Sequence, residues 1–178
     1  MSIEKEIEIL IGLVEEPNQD DDVIETLIHS LDKLTCYVHE AKFEFDKNEY
    51  DDAPDTNYGE LRTVVEKKFP TLGYYHTSDF EEPAEDNGEV SLGDAIDDIV
   101  DIIAELKVVK WYFENTSRNN AIWHFVTGFR SHWGGHVREL QTYLYRNYYY
   151  RQLNTANHNN SLRSSGRGEP RLCLRRYI

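Results

Sequence analysis

Carboxylates repeat along one stretch of the chain at spacings that suit a helix. The string D-x-x-D-D-x-x-D is formed by Asp94, Asp97, Asp98 and Asp101, and Glu105 extends the face shared by positions 94, 98 and 101. Residues three and four apart are neighbours on a helix surface, so these acids are expected to crowd one another. Crowded carboxylates in a cleft favour a divalent cation or raised pKa values. The alternative is a solvated acidic face whose first acids are stabilised by the helix dipole.

Two histidines have the spacing of a shared transition-metal site. His132 and His136 are four residues apart, so both imidazoles fall on one helix face, and His124 lies roughly on the same face. Trp133 follows the first of the pair where a zinc protease would need Glu, which excludes that class. A His/Asp metal centre in the core of a bundle is the functional hypothesis. The structural alternative is a clasp in which the histidines hydrogen-bond to acids of a neighbouring helix.

A metal-dependent enzyme would follow if the acids and the histidines faced each other. Its divalent metal would be held by Asp94, Asp97, Asp98 and Asp101, with His132 and His136 as further ligands or acid/base groups. The substrate class expected for such an enzyme is a phosphorylated compound or a nucleotide. Residues 97–101 also match the D-D-x-x-D string of helical isoprenoid synthases, but the chain is small for that fold and shows no second metal motif. The sequence assigns no catalytic residue, because it has neither a Gly-rich phosphate loop nor a nucleophile elbow.

Aromatic and arginine side chains form the second candidate site. Tyrosines crowd positions 143–150, with Arg146 among them. Tyr, Trp and Arg are common anchors of protein interfaces, so the predicted binding residues are Trp123, Trp133, Tyr143 and Arg146. The plainer interpretation is that these aromatics pack in the core or against the end of the chain. A homo-oligomer that uses the tyrosine-rich helix is a third alternative.

The acidic composition limits the class of partner. The 178 residues carry a net charge of −14. A nucleic-acid backbone or an anionic membrane would be repelled by this charge, whereas a basic protein would be attracted. The favoured function is therefore a non-enzymatic binding or regulatory protein, such as an immunity or antitoxin-like protein, that presents an acidic surface to a basic partner. The metal-dependent enzyme is the alternative.

Cysteine content and hydropathy predict a cytoplasmic location. Cys36 and Cys173 are the two cysteines, which is no disulfide framework and favours a reducing compartment. The first residues lack the basic and apolar regions of a signal peptide. No apolar stretch approaches the length of about 20 residues that spans a bilayer.

Apolar periodicity predicts five helices that would position these side chains. Their stripes cover residues 3–14, 24–45, 57–69, 92–113 and 122–144. Predicted N-terminal caps are Asp22, Asn57 and Ser91, each with an acid three residues later. Polar loops are predicted at 46–56 and 73–88, no strand is predicted, and Gly134-Gly135 indicates a kink in the last helix.

The predicted fold class is therefore an all-α bundle of about four or five helices, with a long acidic loop. Residues 1–150 are expected to form a single helical domain. Residues 151–178 contain six Arg and one acid, and they are expected to form a basic, flexible C-terminal tail.

Three stretches between Tyr58 and Leu144 resemble a bacterial family of small helical proteins known as domain of unknown function 5063. The first runs from L-R at 61–62 through F-P-T-L-G-Y-Y at 69–75, and the second is G-D-A-I-D-D-I-V-D-I at 93–102 with L-K at 106–107. The third is A-I-W-H-F at 121–125 with F-R-S-H-W-G-G-H at 129–136. The resemblance implies a helical fold and a bacterial setting, and it implies no activity. It also suggests that the acidic stripe and the His-Trp-Gly segment belong to one recurring unit, whereas residues 151–178 depart from the family.

Overall fold

Six α-helices and a two-stranded sheet are found in the part of the chain that the computed structural model describes, residues 2–17, 22–77 and 91–150. The elements are α1 (Ile3–Glu15), α2 (Val23–Glu40), α3 (Tyr58–Lys68), β1 (Tyr74–His76), β2 (Leu92–Asp94), α4 (Ala95–Asn115), α5 (Arg118–Gly128) and α6 (Gly134–Leu144). Two π-helical turns, Phe129–Trp133 and Tyr145–Tyr149, follow α5 and α6. The all-α prediction is confirmed.

Helix α4 is the centre of the bundle. It packs against α1, α3, α5 and α6, and α2 packs against α1 and α6. The predicted apolar stripe of α4 is buried where Ile99, Ile103 and Leu106 meet these neighbours. Burial of each such side chain stabilises the fold by roughly 1.5–3 kcal/mol. The acidic stripe lies on the same helix, so the core fixes where these carboxylates point.

The predicted N-terminal caps of α2 and α3 are observed, and the predicted cap of α4 is not. The side chains of Asp22 and Asn57 accept hydrogen bonds from the backbone N–H groups of the residues three positions later. At α4 the predicted cap Ser91 is wrong, since Asp94 caps the helix by accepting from Ile96 N. Residues 92–94 are taken by strand β2, which moves the helix start.

The second helix is shorter than its apolar stripe predicts. It ends at Glu40, and residues 41–57 are neither helix nor strand. Phe45, predicted as the last member of the stripe, is 82% exposed. We call residues 41–57 the 41–57 segment.

A small antiparallel sheet corrects the prediction that the chain has no strand. Tyr75 of β1 lies opposite Gly93 of β2, and His76 lies opposite Leu92. Leu92 was predicted to join the apolar face of α4, but it is a strand residue with 66% of its surface exposed. The remainder of the predicted acidic loop, residues 78–88, and the predicted tail, residues 151–178, lie outside the described residues.

The predicted interruption of the last helix is a π-helical turn. It spans Phe129–Trp133 and separates α5 from α6. A Cβ atom on Gly134 would overlap the carbonyl oxygen of Phe129, whereas a Cβ on Gly135 would meet open space. Gly134 is therefore the residue that permits the wide turn, and π turns occur frequently at functional sites.

None of the helices in the described ranges is long and apolar enough to cross a membrane. The described residues up to Leu144 form one compact unit, and the described residues 145–150, which include the π-helical turn Tyr145–Tyr149, belong to a second unit.

Candidate metal centre

The acidic stripe of α4 faces the histidine pair. His136 lies in the first turn of α6, with its Nδ1 atom 2.9 Å from Asp98 Oδ1 and its Nε2 atom 3.4 Å from Asp101 Oδ2. His132 lies in the π turn, with its Nδ1 atom 2.9 Å from Glu105 Oε1. The helical repeat places Asp98, Asp101 and Glu105 in one row along α4, because they are three and four residues apart. The sequence predicted both rows, and the packing of α4 against α6 brings them together.

Three of these side chains have the geometry of a cation site. Asp101, His132 and His136 each offer one ligand atom, and the three atoms lie within 4.8 Å of one another. Within the described ranges no other group of three or more His, Cys, Asp or Glu side chains meets this condition. A set of two imidazoles and one carboxylate suits Zn²⁺, Fe²⁺ or Mn²⁺ better than Mg²⁺ or Ca²⁺, which prefer oxygen ligands throughout. Three ligands also leave at least one coordination position open.

Each histidine of the set has a carboxylate behind it. Asp98 holds Nδ1 of His136, and Glu105 holds Nδ1 of His132. A neutral imidazole that donates its Nδ1–H to a carboxylate keeps its Nε2 lone pair for a metal ion. The Asp98 side chain is only 7% exposed, so its hydrogen bond to His136 is protected from water. The arrangement has both the ligands and the outer carboxylates that metal-binding histidines require.

The pKa values of His136 and Asp101 are both raised, which favours their protonated forms, whereas metal ligands must be deprotonated. The hydrogen bond that His136 donates to Asp98 is the largest cause that raises the pKa of His136, and burial partly offsets it. Burial raises the pKa of Asp101, and the charge of His136 partly lowers it. Because a metal ion and a proton compete for His136, its raised pKa means that metal binding would weaken as the pH falls.

A tyrosine from the small sheet reaches into the centre. The hydroxyl of Tyr75 donates to Asp98 Oδ2, the oxygen that does not face His136. Burial is the largest cause that raises the pKa of Tyr75, and the bond to Asp98 adds to it, so the hydroxyl remains a donor. Tyr75 stacks on Tyr143 with ring centroids 4.8 Å apart. Sequence reasoning missed Tyr75, since no periodicity marks it.

The first two acids of the predicted metal set are engaged elsewhere. Arg62 of α3 lies 2.7 Å from Asp94 and 3.0 Å from Asp97, and Tyr58 also donates to Asp97. The bond to Asp94 is the largest cause that raises the pKa of Arg62. These contacts tie α3 to the start of α4. The predicted set of six residues is thus divided into an arginine cluster (Asp94, Asp97), an outer carboxylate (Asp98) and three candidate ligands (Asp101, His132, His136).

The third histidine of the predicted row does not join the candidate ligands. His124 stacks on Tyr112 with ring centroids 3.6 Å apart. Burial lowers the pKa of His124, so this imidazole favours the neutral form. His124 therefore contributes to the packing of α5 against α4.

The four predicted binding residues occupy different environments. Trp123 is 43% exposed, whereas Trp133 is fully buried against Phe125 and Phe129. Tyr143 packs on Tyr75, and its hydroxyl accepts a hydrogen bond from Gly73 N at 3.3 Å. Arg146 is an exposed residue of the Tyr145–Tyr149 turn. Of the two tryptophans, Trp123 is therefore the one with surface to offer a partner.

A groove of about 370 Å³ runs along α4 beside the candidate ligands. Asp101, Glu105 and His132 form part of its wall, and residues 52–56 of the 41–57 segment form another part. Ala104, Val108 and Tyr112 supply an apolar surface. The described residues that line it include four acids, Asp52, Asp55, Asp101 and Glu105, and neither Lys nor Arg. An ion at the centre would therefore have a groove beside it.

Comparison with known proteins identifies a family and no activity. The model of a domain of unknown function, DUF5063, matches residues 18–149, which include the whole candidate metal centre. No curated protein and no solved structure matches the chain.

Proposed function

Since the chain belongs to the family of the domain of unknown function DUF5063, we propose its function from its own side chains: it is a transition-metal-binding protein whose ion is held by Asp101, His132 and His136. The observation that carries this proposal is the convergence of these three side chains, with ligand atoms within 4.8 Å of one another. The ion would supply Lewis acidity and an open coordination position beside the groove on α4.

Two further observations support a metal rather than a purely structural clasp. A clasp needs only one hydrogen bond from each histidine, and Asp98 and Glu105 already provide these at Nδ1. Asp101 is not needed for such a clasp, and its ionised form is unfavourable in the fold, because burial raises its pKa. A carboxylate placed at a cost beside two imidazoles is typical of a functional site.

The proposal is tested by metal content and metal affinity. Tag-free protein purified without chelators is expected to contain about one equivalent of Zn, Fe or Mn by elemental analysis. Chelator-stripped protein should rebind the ion in a calorimetric titration. The double variant His132→Ala/His136→Ala should lose the ion, while the matched control His29→Ala/His76→Ala, which removes two exposed histidines elsewhere, should retain it. Wild-type protein that binds none of these ions after anaerobic reconstitution contradicts the proposal.

A second candidate is the binding of a basic protein partner by the acidic groove. The four carboxylates of its wall, without a Lys or Arg among the described lining residues, favour a cationic group over a phosphorylated one. This observation supports the immunity or antitoxin-like function and weighs against a phosphoryl or nucleotide substrate. Asp52→Asn/Asp55→Asn should then abolish capture of a specific basic protein from native lysate, while Glu8→Gln/Glu66→Gln, on exposed faces of α1 and α3, should not. Equal capture by both variants contradicts it.

A further inference from the structure

The hydroxyl of the sheet residue Tyr75 is linked to the candidate ion through two residues, Asp98 and His136. The hydroxyl donates to Asp98 Oδ2, and Asp98 Oδ1 lies 2.9 Å from His136 Nδ1. Both oxygens of this carboxylate are therefore engaged on opposite sides. Because the Asp98 side chain is 7% exposed, water offers little competition for either bond.

The backbone of the sheet is shaped to hold the ring of Tyr75. Gly93 lies opposite Tyr75 in the register, and a Cβ atom there would lie 2.5 Å from the tyrosine ring. Tyr143 of α6 stacks on the ring of Tyr75, with the two ring centroids 4.8 Å apart. The ring thus has glycine on one side and an aromatic ring on another. Its neighbour Tyr74 is 75% exposed, as expected for the opposite face of the strand.

The direction of Asp98 decides which nitrogen of His136 faces the other ligands. A carboxylate that is free to rotate could accept from either Nδ1–H or water, and the imidazole could then change tautomer or turn. With Oδ2 held by Tyr75, Oδ1 remains aimed at Nδ1, and Nε2 faces Asp101 at 3.4 Å. Outer hydrogen bonds of this kind fix the tautomer and orientation of metal-binding histidines.

We infer that Tyr75 is a positioning residue of the metal centre, which fixes Nε2 of His136 as the metal-binding atom by holding Asp98. This inference rests on the proposed metal-binding function. Tyr75 acts on the ligand His136 through Asp98. Its effect is therefore on the geometry of the centre and on its affinity for the ion. The hydroxyl carries the effect, and the ring carries only the packing on Gly93 and Tyr143.

The test compares Tyr75→Phe with Tyr74→Phe, which removes the hydroxyl of the exposed neighbour. Both variants keep the ring and are expected to fold. Tyr74→Phe should unfold at nearly the wild-type urea concentration, and Tyr75→Phe at a lower one, because it leaves an oxygen of the buried Asp98 carboxylate without its donor. Tyr75→Phe should weaken Zn²⁺ binding about tenfold to a hundredfold and should change the visible spectrum of the Co²⁺-loaded protein. Tyr74→Phe should change neither property. A Tyr75→Phe protein with wild-type affinity and the wild-type Co²⁺ spectrum overturns the inference.

A second measurement separates this inference from the proposed function. In metal-free wild-type protein at high pH, long-range ¹H–¹⁵N spectra should show the neutral imidazole of His136 with its proton on Nδ1. The Tyr75→Phe variant should show a mixture of the two tautomers, and an unchanged tautomer overturns the inference even if the metal binds. Failure of wild-type protein to bind any metal, with the tautomer shift still present, overturns the proposed function and leaves Tyr75 as a positioning residue for His136 alone.

Discussion

Asp101 Oδ2 lies 3.4 Å from Nε2 of His136, yet burial has the larger influence on this carboxyl group and raises its pKa. An acid whose pKa is higher in the folded than in the unfolded protein destabilises the fold when it is ionised. The penalty is absent below the unfolded pKa, appears as the pH rises through the unfolded value and is complete above the folded pKa. Asp101 therefore costs stability at neutral pH, and the proposed metal ion would offset that cost.

Asp101→Asn should have opposite effects on stability and on metal binding. In the presence of chelator at pH 8, the variant is expected to be more stable than wild type by up to about 1 kcal/mol, the scale of ordinary single substitutions. At pH 3, below the unfolded value of 3.8, this gain should largely vanish, because the carboxyl group is then mostly protonated in both the folded and the unfolded chain. Urea unfolding followed by circular dichroism measures both, and calorimetry should show that the metal no longer binds. A variant that is less stable than wild type at both pH values would refute the explanation.

His124 and His136 should influence stability with opposite dependence on pH. The bond to Asp98 raises the pKa of His136, so its contribution is present below the unfolded value of about 6.5 and is lost as the pH rises through the folded pKa. Burial lowers the pKa of His124, so the unfolded chain takes up this proton more readily and stability falls as the pH drops below about 6.5.

This prediction is measured as the difference in unfolding free energy between pH 5.5 and pH 8.5, with chelator present. His136→Gln should lose more stability relative to wild type at pH 5.5 than at pH 8.5. His124→Phe, which can keep the stacking on Tyr112, should gain stability relative to wild type at pH 5.5. Because each variant is compared with itself at two pH values, packing effects largely cancel. Identical pH dependence in all three proteins would contradict the assignment.

The acidic stripe and the histidine pair could each be predicted because both patterns are local, whereas the sequence could not show that the two face each other. Spacings of three and four residues define one face of α4 and one face of the His-Trp-Gly segment, whatever the rest of the chain does. The sequence could not show which acids the histidines would take. Arg62 binds Asp94 and Asp97 only because α3 packs beside the start of α4, and no local signal encodes that contact.

The outer part of the centre was not predictable for a similar reason. Tyr75 reaches Asp98 from a strand of three residues, too short for alternation to be recognised, and its partner strand begins sixteen residues later at Leu92. Trp133 was predicted as a binding residue, but it is fully buried. Its burial agrees with the apolar stripe predicted over residues 122–144, of which Trp133 is a member.

The two neighbouring glycines at the start of α6 should respond in opposite ways to alanine. Gly134→Ala would force its Cβ against the carbonyl oxygen of Phe129, so the π turn must shift and stability should fall by roughly 1–3 kcal/mol. Gly135→Ala meets open space and should gain up to about 1 kcal/mol from helix propensity. Thermal unfolding compares the two. If Gly134→Ala is as stable as Gly135→Ala, the π turn does not depend on this glycine.

A buried carboxylate outside the metal centre provides the last prediction. Glu6 of α1 is fully buried, and neither carboxylate oxygen has a hydrogen-bond partner. Lys33 of α2 is its ion-pair partner, with Nζ 3.5 Å from Oε2. Removal of one member of a buried pair leaves a charge without compensation, whereas removal of both leaves an apolar contact.

Because the Lys33 side chain is 47% exposed, Lys33→Met should cost less than the loss of a partner from a fully buried pair, roughly 1–3 kcal/mol, and Lys33→Met/Glu6→Met should recover most of that loss. Lys5→Met is the matched control, because Lys5 pairs with Glu8 on the surface of α1, where an exposed pair is worth less than about 1 kcal/mol. Urea unfolding of Lys33→Met, Glu6→Met and the double variant completes the thermodynamic cycle for the Glu6–Lys33 pair. If Lys33→Met costs no more than Lys5→Met, Glu6 does not depend on Lys33, and the contact between α1 and α2 is held by its apolar residues alone.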